Sequence, residues 1–197
     1  KFDDKTSFAG VSMRGVDCTS LIKPSSLPFT DWRGADLSES LWSLGSDMRG
    51  VDWTDCKFVG ASLVEANFEA QPVSSGVNFT SAILKSARFS KATLGTGINF
   101  TSAILTSAQF SEATLSTDVN FTKADLQSAQ FSEATLHAGV NFTSADLRLA
   151  QFPGAVVHDG AIFTSADLRS AQFPGAILHE ANLYEANLTA INPNLGD

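Results

Sequence analysis

Four consecutive stretches decide how this chain folds. Val77–Gly97 reads VNFTSAILKSARFSKATLGTG and Ile98–Asp118 reads INFTSAILTSAQFSEATLSTD. Val119–Gly139 reads VNFTKADLQSAQFSEATLHAG and Val140–Gly160 reads VNFTSADLRLAQFPGAVVHDG. A fifth copy starts at Ala161. A fixed period of this size marks a repeat architecture. Inside each copy runs a shorter period of five. Large apolar residues fall at Phe79, Leu84, Phe89 and Leu94, then, after a step of six, at Phe100, Leu105, Phe110 and Leu115. Two residues before each of these centres sits a small or apolar residue: Val77, Ala82, Ala87, Ala92.

Five fits neither the helical period near 3.6 nor simple strand alternation. Within a unit the apolar pair is two apart, so side chains alternate as in a strand. From a centre to the next apolar residue the step is three, and continued alternation would turn that residue outward. The chain must therefore turn once per unit, at the two residues after the centre. Four units close a square, and the next square stacks on it at about 4.8 Å. The interior is narrow, which explains Ala as the usual second inward residue. The sixth residue falls at Gly76, Gly97, Asp118, Gly139 and Gly160, types that tolerate positive φ, and reads as a bulge in one corner. The larger inward residues after it (Val77, Ile98, Val119, Val140) fit a widened corner.

In this register the centres form columns. Phe79, Phe100, Phe121, Phe142 and Phe163 line one wall, and Phe89, Phe110, Phe131, Phe152 and Phe173 line the opposite one. Leu84, Leu105, Leu126, Leu147 and Leu168 form a third column, and a second Leu column with Val157 forms the fourth. Towards the N-terminus the centres continue through Phe68, Leu63, Phe58, Trp53 and Met48, then, across another step of six, Trp42, Leu37 and Trp32. Phe8, Met13 and Cys18 suit a first set. Between Cys18 and Trp32 the phase is lost, and Pro24 and Pro28 mark an extruded loop. The expected organisation is an N-terminal first coil or cap over 1–31, a β-helix over 32–191 and a tail over 192–197. Its first residue is Lys1 rather than Met, as expected of a processed protein or a fragment.

Units such as Ala-Asp-Leu-Arg-Ser (Ala166–Ser170), Ala-Asn-Leu-Tyr-Glu (Ala181–Glu185) and Ala-Asn-Phe-Glu-Ala (Ala66–Ala70) resemble the A(D/N)LxX consensus of the pentapeptide-repeat proteins. The resemblance implies an all-β fold, a right-handed quadrilateral β-helix, here of about eight coils. The regular 21-residue coil departs from the family norm of 20. Relatives in this family occur in cyanobacteria and in the thylakoid lumen. Bacterial cytoplasm, periplasm and thylakoid lumen all suit the resemblance, and the sequence does not select among them.

Composition narrows the functions. The 197 residues are 43% hydrophobic and 17% charged, with 15 Phe, 25 Ala and a net charge of −8. That balance excludes a basic nucleic-acid binder, and no apolar run approaches a membrane span. Two Cys are too few for a disulfide framework or a structural zinc site. Cys18 and Cys56 fall on inward positions, where free buried thiols are the ordinary outcome. No nucleophile elbow, phosphate-cradling loop or zinc-protease motif occurs, so no catalytic residue or cofactor is expected. The repeat also generates Asn-Phe-Thr sequons automatically, and its Asn and Thr columns are expected to bond between coils.

The leading expectation is a non-enzymatic scaffold presenting a face or loop to a protein partner, with Trp32 and Trp42 as candidate contacts because Trp is enriched at binding hot spots. The resemblance also brings a second reading, a DNA-mimic protein that protects gyrase. The −8 invites it, but residues 77–178 hold six basic and seven acidic side chains, so the regular rod is nearly neutral. Two further readings are an ice-binding Asn/Thr face and a metal site at His137, His158 and His179, which share one corner column. The Asp125, Asp146 and Asp167 column sits beside Arg148 and Arg169 and reads as a laced charged face.

Overall fold

The structure is a computed structural model that describes residues 9–18 and 32–191. The expected Pro24/Pro28 loop and the tail over 192–197 lie outside the described residues, as does Phe8.

Every regular element is an extended segment of two residues or one bridge, because the chain must turn after each five-residue unit. The two-residue strands are β1 (Asp17–Cys18), β2 (Leu41–Trp42), β3 (Pro72–Val73), β4 (Thr93–Leu94), β5 (Thr114–Leu115), β6 (Thr135–Leu136), β7 (Val156–Val157) and β8 (Ile177–Leu178). β1 pairs with β2, and β3 to β8 form a six-stranded parallel sheet in sequence order. The other walls are ladders of single parallel bridges. On one, Asp36, Lys57, Asn78, Asn99, Asn120, Asn141, Ile162 and Asn182 succeed one another, marking seven turns. Ser12 pairs with Asp36 and adds the level below.

Hydrogen bonds run along the axis between coils. The Asn78 N–H donates to Cys56 O at 2.9 Å, and the Phe79 N–H donates the other way to Asn99 O at 2.7 Å. Each corner closes on itself as well: the Ala82 N–H donates to Phe79 O at 3.0 Å across a turn whose third residue, Ser81, has φ 55°. A positive φ at that position belongs to turns of type II. The sequence suggested left-handed residues only at the bulged corner. Gly76, Gly97, Asp118, Gly139 and Gly160 do have positive φ, but so do Ser, Glu and Lys residues at the ordinary corners, Ser86, Ser107, Glu112 and Lys123 among them. The inter-coil and turn bonds compensate a conformation that costs an L-residue about 1–2 kcal/mol.

The bulge is not confined to one corner either. The step of six between Trp42 and Met48 lies between the β2 wall and the wall of Asp47 and Asn67, whereas the later ones follow β3 to β7. The paired residues of the first coils are correspondingly 21 apart at Leu41 and Ser62 but 20 apart at Asp47 and Asn67.

The core is one continuous file of buried centres and buried small residues. Phe rings stack in parallel along each wall: Phe79 on Phe100 at 5.0 Å and 6°, Phe89 on Phe110 at 5.0 Å and 2°. Across the tube the two walls meet edge to face, as Phe89 and Phe100 do at 5.8 Å and 83°. Ring faces and edges are thus both matched by opposite partial charge.

Candidate functional site

Among the described residues the inward side chains form one packed core, and the outward residues line four walls. The Asn column comes first. In the coil of Asn99, Thr101 donates twice to Asn99 Oδ1, from its N–H at 2.9 Å and from its hydroxyl at 2.6 Å. The same pair of bonds recurs at Asn78–Thr80, Asn120–Thr122 and Asn141–Thr143. This corrects the expectation of side-chain bonds between coils. An Asn side chain two residues before a turn amide forms a local turn of its own, and that geometry is satisfied within one unit. It gives the Asn or Asp of the repeat a physical reason: it holds the corner.

Asp does the same work on the next wall. Asp146 accepts from the Arg148 N–H at 3.2 Å and pairs with its guanidinium at 2.6 Å, and Arg148 also approaches Asp167 at 3.8 Å. Asp167 and Arg169 repeat the pair at 2.6 Å. The Arg169 hydrogen bond, above all, holds the Asp167 carboxyl below its ordinary 3.8. The column is laced at Asp146 and Asp167, each paired with an Arg of its own coil, whereas Asp125 accepts from the Gln127 N–H and the Thr106 hydroxyl.

Trp32 and Trp42, the candidate partner contacts, are interior. Both are buried, Trp32 fully and Trp42 with 5% of its surface exposed. Trp42 meets Trp53 edge-on at 6.4 Å, Trp32 lies 5.7 Å from Trp53, and Phe58 closes the cluster at 5.3 Å from Trp53. Their register made this unavoidable, since both occupy centres. Buried indoles need acceptors. The Trp42 Nε1–H donates to Ser40 Oγ at 2.8 Å, which explains Ser in place of the usual Ala, and the Trp53 Nε1–H donates to Met48 O at 3.0 Å. Cys18 and Cys56 are free thiols inside the same region. Burial pushes Cys18 up to about 11 and Cys56 up to about 12, which disfavours the thiolate form at both.

A feature missed in the sequence lies just outside this cluster. A cleft of about 760 Å³ opens between the first two coils, lined by Asp47, Arg49, Asp52, Glu69, Gln71 and Ser74 among others. It sits where the parallel sheet begins at Pro72, which has no N–H to donate. The Gln71 side chain replaces backbone bonds there: its Oε1 accepts from the Gly50 N–H at 2.5 Å and its Nε2 donates to Met48 O at 3.3 Å. Asp52 accepts from Thr54 and, at 2.9 Å, from the Ser74 hydroxyl. The Thr54 hydroxyl, above all, keeps the Asp52 carboxyl below its ordinary value. Pro72 was the one available signal.

The three histidines line a separate groove of about 470 Å³ with Thr117, Ala138 and Asp159. His137 and His158 stack at 5.1 Å and 2°, and His158 and His179 at 6.3 Å and 24°. Among the described residues, no group of three or more His, Cys, Asp or Glu is placed to enclose a metal ion. No helix of the described residues is long and apolar enough to cross a membrane.

Parallel coils of four five-residue sides, closed by hydrogen-bonded corners over a Phe- and Leu-filled interior, define a right-handed quadrilateral β-solenoid. Residues 100–146 match a family model of pentapeptide repeats in nine copies, and residues 161–192 match a second pentapeptide-repeat model in eight. Those two segments of the chain are pentapeptide repeats. Among solved structures, it resembles a trypsin-treated variant of QnrB1, a plasmid-mediated fluoroquinolone resistance protein, at 20% identity and a TM-score of 0.50, over 96% of this chain and 91% of that one. HetL, a pentapeptide repeat protein involved in heterocyst differentiation regulation in the cyanobacterium Nostoc sp., is similar at 24% identity and a TM-score of 0.48, over 98% and 91%. A pentapeptide repeat protein of the Arabidopsis thaliana thylakoid lumen matches at 26% identity and a TM-score of 0.25, over 63% and 69%. The QnrB1 likeness establishes the fold. No curated protein sequence matches the chain.

Proposed function

We propose that the chain is a non-enzymatic scaffold that docks a protein partner at the cleft beside Pro72. The observation behind this reading is the cleft itself: the regular walls are self-satisfied ladders, and here the ladder is interrupted. Asp47, Asp52 and Glu69 face one cation, Arg49, in its lining. The fitting partner therefore offers a basic segment. The test places a photo-crosslinking side chain at Ser74, and at Ser111 on a regular corner as a control, in the full chain exposed to extract of its native source. A discrete product at position 74 and none at 111 is expected. Equal products at both positions would move the interface to the walls, and none at either would end the scaffold reading.

The DNA-mimic reading has less support. The carboxylates of Asp146 and Asp167 are paired with Arg, and a duplex needs one unpaired charge per about 1.7 Å of axis. Supercoiling by gyrase in the presence of a fluoroquinolone should be unaffected by the chain, and protection would replace the scaffold reading. Ice binding through the Asn/Thr wall is weakened by the bonds between Asn Oδ1 and Thr, which occupy those groups with one another.

A further inference from the structure

We propose that His137 and His158 clamp a first-row transition-metal ion, Zn²⁺, Cu²⁺ or Ni²⁺, on the outer surface of the solenoid. This site is remote from the cleft and does not rest on the scaffold reading. All three histidines of the chain fall in one column. The ladder fixes their backbones, with the His137 N–H donating to Leu115 O at 3.0 Å and the His158 N–H to Leu136 O at 2.9 Å. The rings of this pair therefore stand 5.1 Å apart on a rigid frame. Two nitrogens on a tetrahedral ion at 2.0–2.1 Å lie roughly 3.3 Å apart. Turning the two rings from face-to-face to edge-on closes that difference, and the groove in front of them leaves room for the turn.

Imidazole suits Zn²⁺, Cu²⁺ and Ni²⁺, and water completes the coordination of a two-ligand clamp. The groove carries one carboxylate, Asp159, and no cationic side chain, so its charge favours a dication. The thiols do not compete, because both are buried. His179 stands farther off and tilted against His158, and it stays outside the clamp.

The experiment is calorimetric titration of Ni²⁺ and of Zn²⁺ into tag-free full-length protein near neutral pH. One ion per chain is expected. His137→Ala and His158→Ala should each weaken binding by more than about tenfold, the least that loss of a direct ligand costs when even supporting residues cost 10–100-fold. His179→Ala should leave affinity within about threefold, and Asp159→Asn should weaken it by a smaller factor than either ligand change. All four side chains lie on the surface, and unchanged thermal midpoints of the metal-free variants check that the fold is kept. Binding no tighter than that of a variant lacking all three histidines would overturn the proposal. So would a His179→Ala loss equal to that of His158→Ala.

Discussion

At the scale of single residues, two devices make a five-residue corner possible: a left-handed residue after each centre and an Asn or Asp that accepts from the corner amide. Leu149 is the outlier among the first. Its neighbours in the column are Ser107, Ser128 and Ser170, with Glu65 and Ala190 towards the ends, yet it holds φ 61° with 55% of its surface exposed. A γ-branched side chain gains nothing there, so Leu149→Asn should stabilise the protein by about 1 kcal/mol, visible as a raised denaturation midpoint. In the core the sign reverses. Phe110 is fully buried between Phe89 and Phe131, so Phe110→Ala should cost about 3–5 kcal/mol in a denaturant titration. The sequence showed which side chains point inward, because burial follows the five-residue phase directly. It placed Trp32 and Trp42 on centres, and that register, more than their abundance at interfaces elsewhere, foretold their burial. The corner-holding role of Asn was hidden, since a column of outward amides reads equally well as a ladder.

At the scale of the coil, Phe walls face each other and Leu walls face each other, with one bulged corner between successive turns in the C-terminal half. Deleting residues 98–118 removes one whole turn and restores every column. The shortened chain should keep its parallel-β circular dichroism and melt cooperatively, with a modestly lower midpoint. Deleting residues 98–112 removes fewer residues but three units, and sets Leu beneath Phe from there onward. Its midpoint should fall further. If the two deletions melt alike, matching of the columns contributes little. The period and the columns were legible because they repeat. The cleft beside Pro72 was not, because it arises once, where a residue without an N–H meets a displaced bulge.

At the scale of the molecule, stability and charge are linked through the corner carboxylates. Asp36, Asp52 and Asp167 are held below the ordinary 3.8, chiefly by hydrogen bonds from Ser38, Thr54 and Arg169 respectively. The folded state thus favours their ionised form. That contribution is complete above 3.8 and is lost as the pH falls through the lowered values. Thermal midpoints should be flat from neutral pH to about pH 5 and decline below pH 4, modestly, since these groups are near the surface. A midpoint unchanged down to pH 2 would show that the corners hold without them. The direction of the backbone bonds governs how the rod bears load. They run along its axis, so tension applied through the two ends opens one rung at a time, like a zip, and never shears many bonds together. Each released turn of 21 residues would lengthen the chain by roughly 70 Å, and a single-molecule pull would register an even sawtooth whose teeth count the turns.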